Sequence, residues 1–358
     1  MDREPIYNIE KSYKENLEEG PFFSGVIPER RWPDRSQWFD FLGHKVASRI
    51  GVPAGPLLGA NWVLLAARLG FDIVTYKTIR SQKHLAHPVP NMVYIAKEGG
   101  IRQGVGGDTV VQARGVPSSM ERLALTNSFG IPSQAPEILV QDIAKAKEGL
   151  SAGLVMIVSV VGTPREGEDF VQDFVAAARI AREGGAAVIE ADFSCPNVAS
   201  KEGSIHLDPL AVSMIVRAMV QEIKEIPLVI KLGVIPTKER LQEVMVAARR
   251  AGARAICGIN TVSKKVVKED GVTPALGPHR LTAGVCGGPI REEALHFIRM
   301  AREVNEREKL ELTLMLTGGA VLPDHFALFL REGADIAMSG VGMMWDPYLA
   351  ARYHGGGF

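Results

Sequence analysis

Apolar residues along the chain fall into two kinds of stretch. The first is short and nearly unbroken, as in "AAVIEA" and "PLVIKL". Runs without period-two alternation predict strands buried on both faces of a parallel sheet. "GLVMIVSVVG" (153–162), "IPLVIKLG" (226–233) and "LTLMLTGG" (312–319) read the same way. The second kind is amphipathic. "EDFVQDFVAAARIAREGG" gathers Phe170, Phe174, Val175 and Ala178 on one face of a helix.

One junction joins the two kinds again and again. "AARLGFDIVTYKT" (66–78), "REGGAAVIEADFS" (182–194), "RRAGARAICGINT" (249–261) and "LREGADIAMSGVG" (330–342) share it. A helix ends on arginine, glycine follows, then a small or apolar strand, then a polar or glycine stop. Glycine suits a helix C-cap, and the basic residue suits the negative end of the helix dipole. Repeated βα units of this kind predict an α/β fold, a TIM (β/α)8 barrel. The rival is an open doubly wound sheet, which would carry G-x-G-x-x-G after its first strand. No such motif is present there, and "GVGG" (104–107) follows no clear strand. Residues 46–358 are expected to form the barrel. Residues 1–45, with the arginine- and aromatic-rich "PERRWPDRSQWFDFLG", are expected to be an N-terminal extension packed under or beside it.

Composition narrows the picture. Lysine plus arginine equals aspartate plus glutamate, 41 each, so charge offers no argument for nucleic acid or an acidic membrane. The three cysteines, Cys195, Cys257 and Cys286, are odd in number and widely spaced. Without a CxxC pair neither a zinc site nor an iron–sulfur cluster is encoded, and no metal is expected. A disulfide framework is not expected either, which points to a reducing compartment. "MDREPIYNIEKSYKENLEEG" lacks the apolar core of a signal peptide, and no uniformly apolar window is long enough to span a membrane. The expectation is a soluble, cytoplasmic protein.

In a TIM barrel the chemistry collects at the C-terminal ends of the strands. Those positions hold Lys77, Gly162, Asp192 with Cys195, Lys231, Asn260 with Thr261, Gly318 with Gly319, and Ser339 with Gly340. Singly, each has a dull explanation: a cysteine packs, a lysine is solvated, a glycine turns. Together they say more. A buried ammonium is costly unless paired, so two lysines ending apolar strands are expected to face an anion or a polar ligand. Glycines after the last two strands let backbone N–H groups approach a phosphate. A flavin mononucleotide (FMN) fits; a sugar phosphate is the alternative.

The same residues resemble a family. "EADFSCPNV" is similar to the N-x-S-C-P-N motif of dihydroorotate dehydrogenases, especially the soluble class 1 type. "GVPAGP" (51–56), "YKTIRS" (76–81), "TNSFGIPS" (126–133), "VIKLG", "GINTVS", "CGGPI", "LTGGA" and "MSGVG" follow in the family's order. The resemblance implies an FMN-dependent oxidoreductase acting on a CH–CH bond of a cyclic amide, with dihydroorotate oxidised to orotate in pyrimidine biosynthesis. Cys195 would remove a proton from the ring, with hydride passing to flavin N5, and Lys77 would lie where substrate and flavin meet. Asn127, Gly130, Asp192, Asn197, Asn260 and Thr261 would surround the ring. Ala54, Gly55, Lys77, Thr78, Lys231, Gly288, Gly318, Gly319, Gly340 and Val341 would hold the flavin, with Lys231 at its N1/O2 edge. The resemblance also implies a homo-oligomer, a dimer, and leaves room for a separate electron-transfer partner.

The chain departs from the motif at Asp192, where the family has asparagine. An ionised carboxylate only accepts hydrogen bonds, so this position is expected to favour a ring that donates one there. Other rings stay open on that ground, as in dihydropyrimidine dehydrogenases, whose flavin domain the chain also resembles. Two further classes stay open: a sugar-phosphate lyase or isomerase with Lys77 or Lys231 as a Schiff-base lysine, and a non-catalytic subunit on the same barrel.

Overall fold

The computed structural model describes residues 5–97, 99–104, 107–194 and 205–356. An antiparallel hairpin of β1 (Phe39–Phe41) and β2 (His44–Val46) precedes the main sheet. Then come β3 (Ile50–Leu57) and β4 (Ile73–Ile79). An excursion of three short strands follows, β5 (Met92–Ala96), β6 (Thr109–Gln112) and β7 (Ala124–Asn127). The main sheet resumes with β8 (Val155–Val160), β9 (Val188–Asp192), β10 (Leu228–Lys231) and β11 (Ala255–Gly258). A second excursion, β12 (Val262–Val267) and β13 (Thr282–Gly287), precedes β14 (Thr313–Leu316) and β15 (Ile336–Met338).

Eight of these strands form a closed parallel barrel in the order β3-β4-β8-β9-β10-β11-β14-β15, and β15 pairs back onto β3. Helices Ala60–Arg68, Pro136–Glu148, Phe170–Glu183, Pro209–Ile223, Lys238–Ala251, Arg291–Arg307 and Pro323–Arg331 connect successive strands; Val341–Trp345 and Leu349–Tyr353 follow the last. The (β/α)8 expectation holds. The junction pattern works as its chemistry requires: Gly252 caps its helix at φ 114°, and its N–H donates to Ala248 O at 3.1 Å.

Closure puts alternate side chains inside the cylinder. Ile73, Val155, Ile157, Val188, Val229, Ala255, Met315 and Ile336 form one buried interior cluster. Phe41 and Val46 belong to the same cluster, so the hairpin stoppers one end of the barrel. That leaves the other end, where the strands finish, for polar groups.

The two excursions build a feature that the apolar pattern does not announce. They combine into a second closed sheet, in the order β12-β13-β7-β5-β6. Their strands are short and half polar ("TVVQ", "ALTN", "VSKKVV"), which reads as loop when taken alone. They leave the barrel after β4 and β11, and so lie on the side where the strands end.

The segment before the hairpin is bound to the barrel at several points. Its helix Tyr13–Glu19 begins with a capping box between Ser12 and Glu15. Ile6, Tyr7 and Tyr13 are buried in the main core. Arg30 Nη2 donates to Asp72 Oδ2 at 2.7 Å, and the Asp72 carboxylate, just before β4, is fully buried. Removing one partner of a buried pair strands the other charge. Arg30→Ala should therefore lower unfolding stability by about 3–5 kcal/mol, measured by urea denaturation. A loss below about 1 kcal/mol, the range of exposed pairs, would show that the pair does not hold this segment to the barrel.

Candidate active site

A cavity of about 1160 Å³, counting its open mouth, lies where the barrel strands end. Three charged side chains form part of its lining: Lys77 from β4, Asp192 from β9 and Lys231 from β10. All three point inward because they fall on the alternation that buries the apolar layers below. Asp192 and Lys231 sit directly opposite each other across the β9–β10 pairing. Lys231 is only 2% exposed, and its Nζ donates to Ala54 O at 3.2 Å. Asp192 Oδ1 accepts from both the backbone N–H (3.0 Å) and the hydroxyl (2.7 Å) of Ser194.

One layer further down is Glu190, 0% exposed. Burial pushes its carboxyl up from the usual carboxylate range, while nearby Lys231 pulls the other way. Neither of its oxygens has an aligned hydrogen-bond partner among the described residues. Ser159, opposite it on β8, and the Cys257 thiol are close enough to favour its charged form. The Cys257 thiol is itself raised well above its usual range, by burial first and by Glu190 second. Lys231 thus has a carboxyl group on each side, Asp192 level with it and Glu190 beneath. The strand-end reading passed over Glu190, although a glutamate inside "AAVIEA" was a visible signal.

Asn127, Gly130, Asn260 and Thr261 line another wall. The loop after β7 is held from two sides. Arg80 Nε donates to Ile131 O (2.9 Å) and its Nη2 to Gly130 O (3.2 Å). Arg280 Nη1 donates to Ser128 O at 3.2 Å. Gly130 has φ 77°, and a Cβ there would lie 2.6 Å from the His87 ring. Thr261 Oγ1 is buried with no partner among the described residues. Cys286 also lines this wall; its thiol donates to Leu125 O at 3.3 Å, and burial pushes it up to about 12.

The remaining wall is backbone. Gly318 (φ 115°) and Gly319 (φ 89°) follow β14, and Gly340 and Val341 follow β15. A Cβ at Gly319 would come within 2.6 Å of the Arg291 Cα, so no larger residue fits. Among the described residues no acceptor takes the amide N–H of Gly319, Ala320 or Gly340. Backbone donors without acceptors, in a glycine cradle, suit a phosphate. Ala54, Gly55 and Thr78 complete the surface, so the residues present fit a flavin mononucleotide.

Most of the residues expected from the sequence therefore meet in one cavity. Gly288 does not. It sits one residue behind the wall, its N–H donating to Leu123 O at 2.9 Å, and Gly287 takes the lining position. Both glycines pack against backbone: a Cβ on Gly287 would meet Leu123 O at 2.0 Å and one on Gly288 would meet Glu121 O at 2.1 Å. Cys195 and Asn197 lie outside the described residues. Tyr7, Phe129 and Met344 line the cavity without having been anticipated. Phe129 lies within "TNSFGIPS"; nothing local marks Tyr7 and Met344, which long-range packing brings there. Among the described residues no group of three metal-ligating side chains occurs, and no helix is long and apolar enough to cross a membrane.

Comparison with known proteins supports one family. The family model for dihydroorotate dehydrogenase matches residues 115–330. A dihydroorotate dehydrogenase of Dictyostelium discoideum is 47% identical over 357 residues, covering 98% of this chain and 96% of that protein. The catalytic subunit of dihydroorotate dehydrogenase B (NAD(+)) from Desulforudis audaxviator is 27% identical over 226 residues, 63% of this chain and 68% of that one. The crystal structure of the Eimeria tenella enzyme DHODH in complex with ferulenol superposes with a TM-score of 0.70 at 16% identity, covering 92% of this chain and 85% of that one, which shows the shared fold. With a family match over more than half its length and a relative this similar from end to end, the chain belongs to the dihydroorotate dehydrogenase family.

Proposed function

We propose that this chain is an FMN-dependent enzyme that oxidises dihydroorotate to orotate. The observation that carries the reading is the make-up of the one cavity: amide and hydroxyl groups, two buried lysines and an open-amide glycine cradle, in a member of this family. Oxidising the ring C–C bond removes a proton from one carbon and a hydride from the next, leaving a double bond. Bound FMN supplies the hydride acceptor.

The protein's own groups have separate tasks. Cys195 is the base for the proton, carried over from the family motif. Burial holds both described thiols, Cys257 and Cys286, in their protonated form, which supports assigning the base to the third cysteine. Asn127, Asn260 and Thr261 orient the ring. Asp192 accepts from a ring N–H; dihydroorotate carries two such donors, so the departure from asparagine is compatible with this substrate. Lys77 and Lys231 favour negative charge in the cavity, Lys77 beside the substrate carboxylate and Lys231 beside the cofactor. The glycine cradle takes the phosphate.

The direct test is anaerobic mixing with dihydroorotate, followed by flavin absorbance. Bleaching with orotate formation is expected; an oxidised spectrum that persists at saturating dihydroorotate would refute the reading.

Two substitutions probe the parts. Lys231→Met should lower the midpoint potential of the bound flavin by about 30–60 mV, taking about 1.5–3 kcal/mol for a hydrogen bond to a charged group and a two-electron couple. An unchanged potential would remove Lys231 from the cofactor contact. Asp192→Asn should weaken orotate binding by about tenfold, the value of one hydrogen bond of about 1.4 kcal/mol. The Ser194 N–H keeps the amide oxygen turned away, so the new amide offers the ring N–H a donor. Tighter binding by this variant in a flavin-shift titration would show that the ring presents an acceptor instead.

A further inference from the structure

We propose that Glu190 is the proton acceptor that balances the negative charge placed on the cofactor wall when bound flavin is reduced, its proton arriving through the hydroxyls of Thr78 and Ser159. Glu190 is not part of the cavity lining, so it acts from one layer beneath the ligands without touching them. The proposal rests on the functional reading above.

Strand alternation places the group. Val188, Glu190 and Asp192 share the inner face of β9, with Val188 in the apolar interior cluster and Asp192 at the cavity. Glu190 stands between them, sealed from solvent. Lys231 on β10 is diagonal to it, because Glu190 pairs with Val229 and Asp192 with Lys231. The charged groups acting on Glu190 are Lys231 and Asp192; Ser159 faces it from β8 and the Cys257 thiol from β11. Lys77 on β4 is the other cation of the cavity lining. The two carboxyl groups differ in their bonding. Asp192 Oδ1 accepts from the Ser194 N–H and hydroxyl, at 3.0 Å and 2.7 Å. Neither oxygen of Glu190 has an aligned partner among the described residues. Burial pushes the Glu190 carboxyl up, Lys231 pulls it down and Asp192 pushes it up. A carboxyl under opposing influences is one that new negative charge nearby tips to the protonated form.

Hydroxyl groups connect the cavity to this carboxyl. The β4–β8 register shifts between Tyr76 and Ile79, and the consecutive residues Lys77 and Thr78 both line the cavity. The Thr78 hydroxyl donates to Ser159 Oγ at 3.1 Å. Ser159 stands directly opposite Glu190 in the β8–β9 pairing. A hydroxyl both donates and accepts, so the two in series pass a proton inward. The step balances. Two electrons and one proton, the content of a hydride, leave one added negative charge beside Lys231. One further proton, drawn from solvent through the cavity, bonds to a Glu190 oxygen and neutralises its carboxylate. The net charge of this end of the barrel is then the same before and after reduction.

Glu190→Gln keeps the shape and removes the titration. Midpoint potentials of the FMN-loaded wild type and variant are measured across the pH range in which both stay folded. The wild-type potential should fall with pH more steeply than that of the variant, by about 30 mV per unit. That is the two-electron equivalent of one proton followed over a tenfold change in its activity. Equal slopes overturn the proposal. A merely structural role for Glu190 would leave the slope unmoved. A second measurement does not need the variant to fold. Infrared difference spectra of wild-type holoenzyme, reduced photochemically without substrate, should show a protonated carboxyl gained on reduction. No such gain overturns the proposal, and so does a gain that persists in Glu190→Gln. A wild-type protein that binds no FMN overturns the functional reading and the proposal with it; equal slopes in FMN-loaded proteins overturn the proposal alone.

Discussion

Closing a parallel sheet of eight strands on itself forces every second side chain into a shared interior, and the molecule depends on how that interior is filled. The lower layers are apolar, with Ile73, Val155, Val188 and Ile336 meeting the hairpin residues Phe41 and Val46. Above them the same alternation delivers Glu190, then Asp192 and Lys231. A one-residue slip in any of these strands would exchange interior for exterior. The apolar layers thus fix the register that aims the charged ones, and stability and site geometry have a common origin.

Charge in the upper layers is balanced locally. Lys231 is almost inaccessible to water, and an ammonium there needs partners. The Ala54 carbonyl accepts from it, while Asp192 and Glu190 lie level with it and beneath it. This arrangement keeps a nearly inaccessible cation at the cavity wall. Asp192, where the family motif has asparagine, has Lys231 opposite it in the strand pairing. At the far wall no side-chain charge is needed, because the orphaned amides around Gly319 and Gly340 supply the positive ends of dipoles.

The barrel is an open-topped vessel until other parts of the chain cover it. The five-stranded closed sheet brings Asn127 and Cys286 to the cavity, and Arg80 and Arg280 pin the loop that follows Asn127. The N-terminal segment reaches the same place through Tyr7 and reaches the strand starts through Arg30 and Asp72. It touches the barrel at both its levels.

The sequence alone determined the barrel and the residues at its strand ends, because those signals are local. A doubly buried strand is mostly apolar, a helix end needs glycine, and Lys77, Asp192 and Lys231 stand at or near the ends of such strands, with Asn260 and Gly319 just beyond theirs. Glu190 was equally local and could have been read from its apolar surroundings. Other features could not have been. The strands of the second sheet are short and half polar, and each is stabilised only by a partner more than ten residues away, such as β7 on β13. Gly287 and Gly288 are indistinguishable as letters; only the fold leaves the first in the cavity wall and sets the second behind it, its N–H on Leu123 O. Tyr7 sits in a polar stretch with no periodic pattern. Only the folded chain, by packing that ring on Phe129 and on Trp62 more than fifty residues away, brings it to the cavity wall.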